Sequence, residues 1–386
     1  MVRWHGDNMH VVQVIDSLYR GGAQQLLVTF AIEAQRRGIK TSVVCLKDED
    51  RGSNLVERLN GLGVEVLRLA APKMLAPKRI WQLTRWLRRN QVSVVHTHLT
   101  YGNVVGILAA RLANIPVVAT MHLAGFDPSI ANRQQQFEAQ VVQRLAQQII
   151  AVGYTTRDAY QPIMPNRQLH VVHNAVVAVP EISPEQRQTT REAVLGDPNL
   201  TMLINVGRFA AIKDLPTLID AFALVHAQHP QARLVLAGEG DQRPKIEAKI
   251  NAHQLPAVVN LLGARDDIPV LLRSADLFVN SSANEGLPIA VLEAMAAGLP
   301  IIATKVGDVP HVVREQAGIT VAPHDHQALA AAINQVLSEP SQIQAMQQAA
   351  QQIIEQYHSP SAWVDQLLSL YTAAHEGVDQ REAVSA

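Results

Sequence analysis

The chain has 386 residues, more than one core ordinarily spans and about right for two domains. With 48% hydrophobic and 17% charged residues it is not a disordered chain, and a single cysteine, Cys45, excludes a disulfide framework and allows a reducing compartment. The net charge of −1 hides an asymmetry: residues 1–180 carry 20 Lys and Arg against 11 Asp and Glu, whereas residues 181–386 carry 13 against 23. This fits two domains with different tasks, the basic one suited to an anionic surface or substrate, or opposite charges that help the halves dock.

The first eight residues read as an extension without the apolar core of a signal peptide. His10 to Ile15 is a buried-strand pattern, followed by Gly21-Gly22 opening a helix from about Ala23 to Arg37 and a strand from Lys40 to Leu46. A strand, a glycine turn and a helix make a common phosphate cradle, although a lone glycine pair is equally a plain tight turn. A helix at Leu55–Gly61 and a strand at Val64–Leu69 follow. Pro77 to Asn90 is a helix with Ile80, Leu83 and Leu87 as its apolar stripe. Lys78, Arg79, Arg85, Arg88 and Arg89 make the rest basic, beside Trp81 and Trp86. Such a helix suits peripheral contact with an anionic membrane, or an ordinary solvated outer layer.

Strands at Val92–Thr97, Val117–Thr120, Gln148–Val152 and Leu169–Val172 alternate with helices at Asn103–Ala113 and Gln134–Ala146, the pattern of a parallel sheet covered on both faces. The apolar stretch 104–126 is broken by Arg111, Asn114 and Pro116, so no spanning helix is expected. His98, His122 and His173 stand at C-terminal strand ends, where such sheets bind ligands. His96-x-His98 with a third ligand is a zinc alternative, which no cysteine supports. Residues 176 to about 200 read as a linker carrying one helix, started by Ser183-Pro184 and stopped by Gly196.

A second α/β series follows, with strands at Met202–Val206, Arg233–Ala237, Asn260–Leu262 and Leu277–Asn280, and helices at Pro216–His226 and Ile268–Arg273. Gly238-Glu239-Gly240 begins like a dinucleotide fingerprint, but Arg243 stands where the third glycine belongs, which excludes a nicotinamide site. The stretch 284–308, NEGLPIAVLEAMAAGLPIIATKVGD, is the most informative. Pro288 suits a first helical residue, Ile289, Leu292, Met295 and Ala296 recur at helical spacing, and Gly298 with Pro300 stops the helix before a buried strand from Ile301. Glu285 lies just ahead of the helix and Glu293 within it. Helix N-termini attract anions, so a phosphate held there and sugar hydroxyls held by the carboxylates fit this stretch. Arg208 and Lys213 follow a strand of the same sheet and could converge on the same diphosphate.

Taken together, GGAQ at 21–24, HTHL at 96–99, His122, VVHNAV at 171–176, VGRFAAIKD at 206–214, LAGEGD at 236–241 and SSANEGLPIAVLEAMAAGLP at 281–300 resemble the retaining glycosyltransferases of family 4. The resemblance covers most of the chain in the right order, and the spacing of Glu285 and Glu293 is its signature. It implies the GT-B fold, two facing Rossmann-like domains with a cleft between them. Residues 1–178 would bind the acceptor, 179–361 the nucleotide sugar, and a helix from about 362 to the end would cross back.

It further implies that Arg208 and Lys213 bind the donor diphosphate, with Gly207 in the same motif. Glu285 holds the transferred sugar beside Gly286 and Leu287, and Glu293 holds the ribose. Gly263 to Arg265 form the base pocket. Gly22 approaches the phosphate, and His122 lies near the reacting centre. Gly21, Gly22, Gln24 and His98 face the acceptor, although the family often has Glu where Gln24 stands. His122, Arg208, Lys213 and Glu285 would carry the chemistry.

The expected donor is a UDP- or GDP-type sugar, with no cofactor and no metal. The expected acceptor is a glycan or lipid-linked molecule, no nucleic acid is involved, and the enzyme is cytoplasmic, peripheral on the inner face of the membrane if helix 77–90 binds it. The only acidic Asp-x-Asp string, Asp48-Glu49-Asp50, reads as a solvated loop. The alternatives are a non-catalytic sugar-nucleotide-binding or scaffold module, and a nucleotide-sugar epimerase of related fold.

Overall fold

The computed structural model describes residues 9–19, 21–47, 54–122 and 132–385; the N-terminal extension and Asp48-Glu49-Asp50 lie outside the described residues. The chain divides into two compact units, one up to Ala175 and again from Pro360, the other Val176–Ser359.

Among the described residues, the first unit holds seven strands: β1 (His10–Ile15), β2 (Lys40–Cys45), β3 (Glu65–Arg68), β4 (Val94–His98), β5 (Val117–Met121), β6 (Gln148–Ala151) and β7 (Leu169–Val171). They pair in parallel in the order β3-β2-β1-β4-β5-β6-β7. The second unit holds six: β8 (Thr201–Val206), β9 (Ala232–Ala237), β10 (Val259–Gly263), β11 (Leu277–Asn280), β12 (Ile301–Thr304) and β13 (Gly318–Val321), in the order β10-β9-β8-β11-β12-β13. Both are Rossmann-like. Strands β1, β4, β5 and β12 are buried throughout, as the unbroken apolar runs of parallel sheets require, because helices cover both faces. In each sheet the strand order reverses beside the first strand, so the loops leaving β1 and β4, and those leaving β8 and β11, part and open a crevice at the C-terminal strand ends.

Three expectations change. The helix expected from Asn103 starts at Leu99 and runs through a π-helical turn, Gly102–Gly106, before Ile107–Ala113. Here glycine is obligatory: a Cβ at Gly102 would stand 2.6 Å from the Val14 carbonyl oxygen, and one at Gly106 2.6 Å from Thr97 Cγ2. The segment therefore lies directly on β1 and β4.

The supposed linker helix, Pro184–Leu195, is part of the second unit. Its buried Arg191 pairs with Asp276 at 3.0 Å and donates to the carbonyls of Ser274 and Pro198, ties that a solvated linker would lack. Arg79 does not belong to the basic face of helix Pro77–Arg89. It is buried and donates to the carbonyls of Leu46, Lys73 and Met74. Leu83, Thr84 and Leu87 complete that inward face, while Trp81 is 59% exposed with Arg85 stacked 5.3 Å from its ring centroid.

Helices Tyr154–Tyr160, Arg243–Ala252, Val309–Ala317 and His326–Ser338 were not foreseen. The last helix, Pro360–Ser385, belongs to the first unit and packs on helix Gly22–Arg36 and on β5 and β6. Arg37 anchors it by pairing with Asp365 and donating to the Ser361 hydroxyl at 2.8 Å.

Candidate functional site

At the switch point of the second sheet, β8 leads into Gly207, Arg208 and a short 3-10 turn, Ala211–Lys213, while β11 leads into Ser281 to Glu285. Backbone bonds stitch the two loops together. The Ala283 N–H donates to the Ile212 carbonyl at 2.8 Å, and the Ser281 hydroxyl donates to the Lys213 carbonyl at 2.9 Å. On this base the Lys213 ammonium pairs with the Glu285 carboxylate, and the Ser282 hydroxyl donates to the same carboxylate oxygen at 3.0 Å.

Both charged side chains are largely covered, at 16% and 10% exposure, so the pair works at low local dielectric. The lysine side chain lies over Gly207, where a Cβ would make an ordinary contact with Lys213 Cε at 3.4 Å. Gly238 and Gly240 have a packing role: a Cβ at Gly238 would stand 1.8 Å from the Gly207 carbonyl oxygen, and one at Gly240 2.3 Å from that of Phe209.

Helix Ile289–Ala296 opens next to Glu285. Pro288 is its cap in an extended conformation, so the helix starts one residue later than expected. Glu293 lies half-buried in the second turn. Gly286 and buried Leu287 are fixed from the next loop, where the Asp308 N–H donates to the Gly286 carbonyl at 2.8 Å. The approach requires Gly307, at φ +51, because a Cβ there would lie 2.0 Å from that carbonyl oxygen. Arg208, two residues beyond the end of β8, is exposed.

Gly263 ends the edge strand β10, two strands away from β8, at φ +69. Arg265 is exposed and its guanidinium is held by Asp267 at 2.6 and 2.8 Å. The structure thus brings Lys213 and Glu285 into contact and leaves Gly263 and Arg265 further along the rim.

In the first unit Gly21 caps helix Gly22–Arg36, and both glycines are exposed. Gln24 turns inward. It is buried, its amide donates to the Ser17 carbonyl at 3.1 Å, and its Oε1 lies 2.4 Å from where a Cβ at Gly21 would be. It shapes the glycine loop from beneath. His98 is buried too, its ring held by Gln13 Oε1 at 2.7 Å and His122 Nε2 at 3.0 Å, so it reaches a ligand only through half-buried His122.

Burial lowers the pKa of His122 to about 4 and that of His96 to about 3, and holds His98 well below its ordinary value. All three rings are neutral at pH 7. Sequence reading missed Gln13, Tyr371, Asp16 and Glu138. Burial pushes Asp16 up to about 7, against the Gly102 N–H that donates to it at 2.8 Å. Burial also raises Glu138, which accepts from Asn103 at 2.6 Å and Thr100 at 2.7 Å. A glutamine in the apolar run of β1 was a signal for Gln13; nothing marked Tyr371. Among the described residues no group of three or more His, Cys, Asp or Glu could hold a metal ion.

Comparison with known proteins decides the family. Residues 20–179 match the model of Glycosyltransferase Family 4, and residues 186–353 match that of Glycosyl transferases group 1. The chain belongs to the group 1 glycosyltransferases.

This glycosyltransferase is similar to D-inositol 3-phosphate glycosyltransferase 1 of Catenulispora acidiphila, 28% identical over 396 residues that cover 92% of this chain and 93% of the relative. It is also similar to N-acetyl-alpha-D-glucosaminyl L-malate synthase of Bacillus anthracis, 25% identical over 237 residues, 59% of this chain and 60% of the relative. Among solved structures, Anabaena HepE in complex with UDP-glucose superposes with a TM-score of 0.84 at 23% identity, covering 95% of this chain and all of that one. The GT-B fold follows from that likeness.

Proposed function

We propose that this glycosyltransferase moves a sugar from a UDP-sugar, held by the second unit, to a glycan or lipid-linked acceptor held by the first, with retention at the anomeric carbon. The observation that carries the reading is the covered Lys213–Glu285 pair at the switch point of the second sheet. Without a ligand the two charges satisfy each other. When a donor diphosphate enters, the ammonium turns to its oxygens, and Glu285 is released to accept from hydroxyls of the transferred sugar. Arg208 and the N-terminus of helix Ile289–Ala296 add positive potential on the leaving group. As the glycosidic bond breaks, charge builds on the diphosphate, and cations already in position stabilise it without reorganisation. Glu293 holds the ribose, Gly263 and Arg265 flank the base, and the leaving phosphate takes the acceptor proton on the face it departs from.

Uridine is preferred as the base because a fold neighbour binds UDP-glucose. A thermal-shift panel of UDP, GDP and ADP sugars tests this, since a ligand that binds the folded state raises the melting temperature. A shift with GDP-sugars alone would refute the choice. No metal is required in this scheme, because Lys213 and Arg208 offset the diphosphate charge; activity that died in EDTA and revived with Mn²⁺ would refute it. A lipid-linked acceptor is favoured by the exposed face of helix Pro77–Arg89, with Lys78, Trp81, Arg85, Arg88 and Arg89. No described helix is long and apolar enough to cross a membrane.

A further inference from the structure

Three histidines of the first unit, His96, His98 and His122, belong to one hydrogen-bonded chain whose direction can be read. Gln13 Oε1 can only accept, so His98 Nε2, 2.7 Å away, carries the proton. A neutral imidazole has one N–H, hence His98 Nδ1 accepts, and its partner at 3.0 Å, His122 Nε2, donates. The lone pair of His122 is left on Nδ1.

At the other end the Gln13 side chain hydrogen-bonds the Tyr371 phenol; with Oε1 on His98 the amide nitrogen serves this bond, and an NH₂ group only donates. The phenol proton then goes to His96 Nδ1 at 2.7 Å, and His96 Nε2 donates to Thr120 Oγ1 at 2.7 Å. Every member is buried except His122. Tyr371 comes from the last helix, and its ring packs edge-on against His96 at 5.5 Å and Phe30 at 6.4 Å.

We propose that Tyr371 and Gln13 are positioning residues for His122: by fixing which end of the Gln13 amide faces His98, they hold His122 in the tautomer that offers Nδ1 as acceptor to a substrate hydroxyl. The lock is the Tyr371 hydroxyl. Without it the two ends of the amide are no longer distinguished by a partner. A turned amide presents N–H to His98 Nε2, each bond along the chain reverses, and the proton moves to His122 Nδ1. An N–H there cannot accept a hydrogen bond from the substrate hydroxyl, which then loses its orientation toward the leaving phosphate. A change in a helix remote in sequence would thus be felt at the one ring of the chain that reaches the surface. The role assigned to Nδ1 rests on the sugar-transfer reading; the tautomer lock does not.

The experiment is ¹⁵N NMR of histidine-labelled protein, with His122 assigned by the signal lost in His122→Gln, alongside steady-state kinetics. Wild type should show His122 neutral with its proton on Nε2. Tyr371→Phe keeps the ring packing and removes only the hydroxyl; it should give a mixed or reversed His122 tautomer. Its kcat should fall about tenfold or more, with the donor KM changed less than about twofold. Gln13→Leu, which removes the amide itself, should do the same.

A wild-type proton on Nδ1, or an unchanged tautomer in Tyr371→Phe, overturns the lock. A shifted tautomer with unchanged kcat overturns the role of Nδ1. The NMR arm needs no substrate, so a wild-type protein that turns over no nucleotide sugar would count against sugar transfer and leave the lock standing.

Discussion

Lys213→Ala separates what the switch-point pair does for the fold from what it does for the reaction. The backbone around Lys213 is held independently of its side chain. Its N–H donates to Ala210 at 3.0 Å and its carbonyl accepts the Ser281 hydroxyl, so truncation leaves the turn in place. The carboxylate of Glu285 is then left covered with Ser282 as its recorded partner. Removing one member of a buried pair costs about 3–5 kcal/mol; residual exposure of both side chains and the Ser282 bond reduce this to about 2–3 kcal/mol here.

Turnover should fall roughly 10² to 10³-fold, the loss typical of one preorganised group aimed at developing charge. Lys213→Ala/Glu285→Ala discriminates between the two: the double variant should regain most of the lost stability, because no charge is left unpaired, and none of the turnover. Thermal denaturation and initial rates of UDP release from a UDP-sugar read both quantities on one preparation. Near-wild-type turnover in Lys213→Ala would refute the reasoning whatever happens to stability.

Glu285→Ala should mainly lower kcat, whereas Glu293→Ala should mainly weaken donor binding, because the ribose is remote from the bond that breaks; titration and rates that show the reverse would exchange the roles. Changing Arg85, Arg88 and Arg89 to Glu should abolish binding to anionic vesicles at low salt, each basic residue being worth about 1 kcal/mol near such a surface, and wild-type protein that never sediments with vesicles would refute the membrane face. Stability should also depend on pH in a defined way. His96, His98 and His122 have folded pKa values below 6.5, so the unfolded chain binds protons that the fold refuses, and stability falls as pH drops below about 6.5, by about 1.4 kcal/mol per pH unit for each ring. Asp16 and Glu138 act in the opposite sense, since their raised values make stability fall as pH climbs, from about 3.8 up to about 7 for Asp16 and from about 4.5 for Glu138. Three rings outweigh two carboxyls, and the melting temperature from these groups should peak near pH 6.5. Asp16→Asn keeps an acceptor for the Gly102 N–H and should stabilise the protein at pH 8 by on the order of 2 kcal/mol; a flat or destabilised profile would contradict this.

The parts of the site that were legible in the sequence are those whose contacts are local or lie within one motif. Glu285 announces itself because a carboxylate precedes a helix start marked by Pro288, and Lys213 because it follows a strand and a glycine in the same sheet. Their direct contact was not visible, since 72 residues separate them. Arg79 was misread by its charge, although its spacing four residues before Leu83 and eight before Leu87 put it on the apolar face. Its burial needed three carbonyls supplied by other segments, and helical periodicity carries no information about those. Tyr371 was invisible for the same reason: it meets His96 from 275 residues away, through a helix whose docking is decided by packing. The glycine loop at Gly21 read as a phosphate cradle or a plain tight turn, and the structure adds that a Cβ at Gly21 would press on Gln24 Oε1 beneath it.

The donor diphosphate is expected at the switch point of the second sheet. A crystal structure of the protein soaked with a UDP-sugar measures this directly. Density for the diphosphate within hydrogen-bond distance of Lys213 Nζ, with Glu285 turned to the sugar, is the predicted result. A diphosphate bound elsewhere, with the Lys213–Glu285 pair intact, would contradict it.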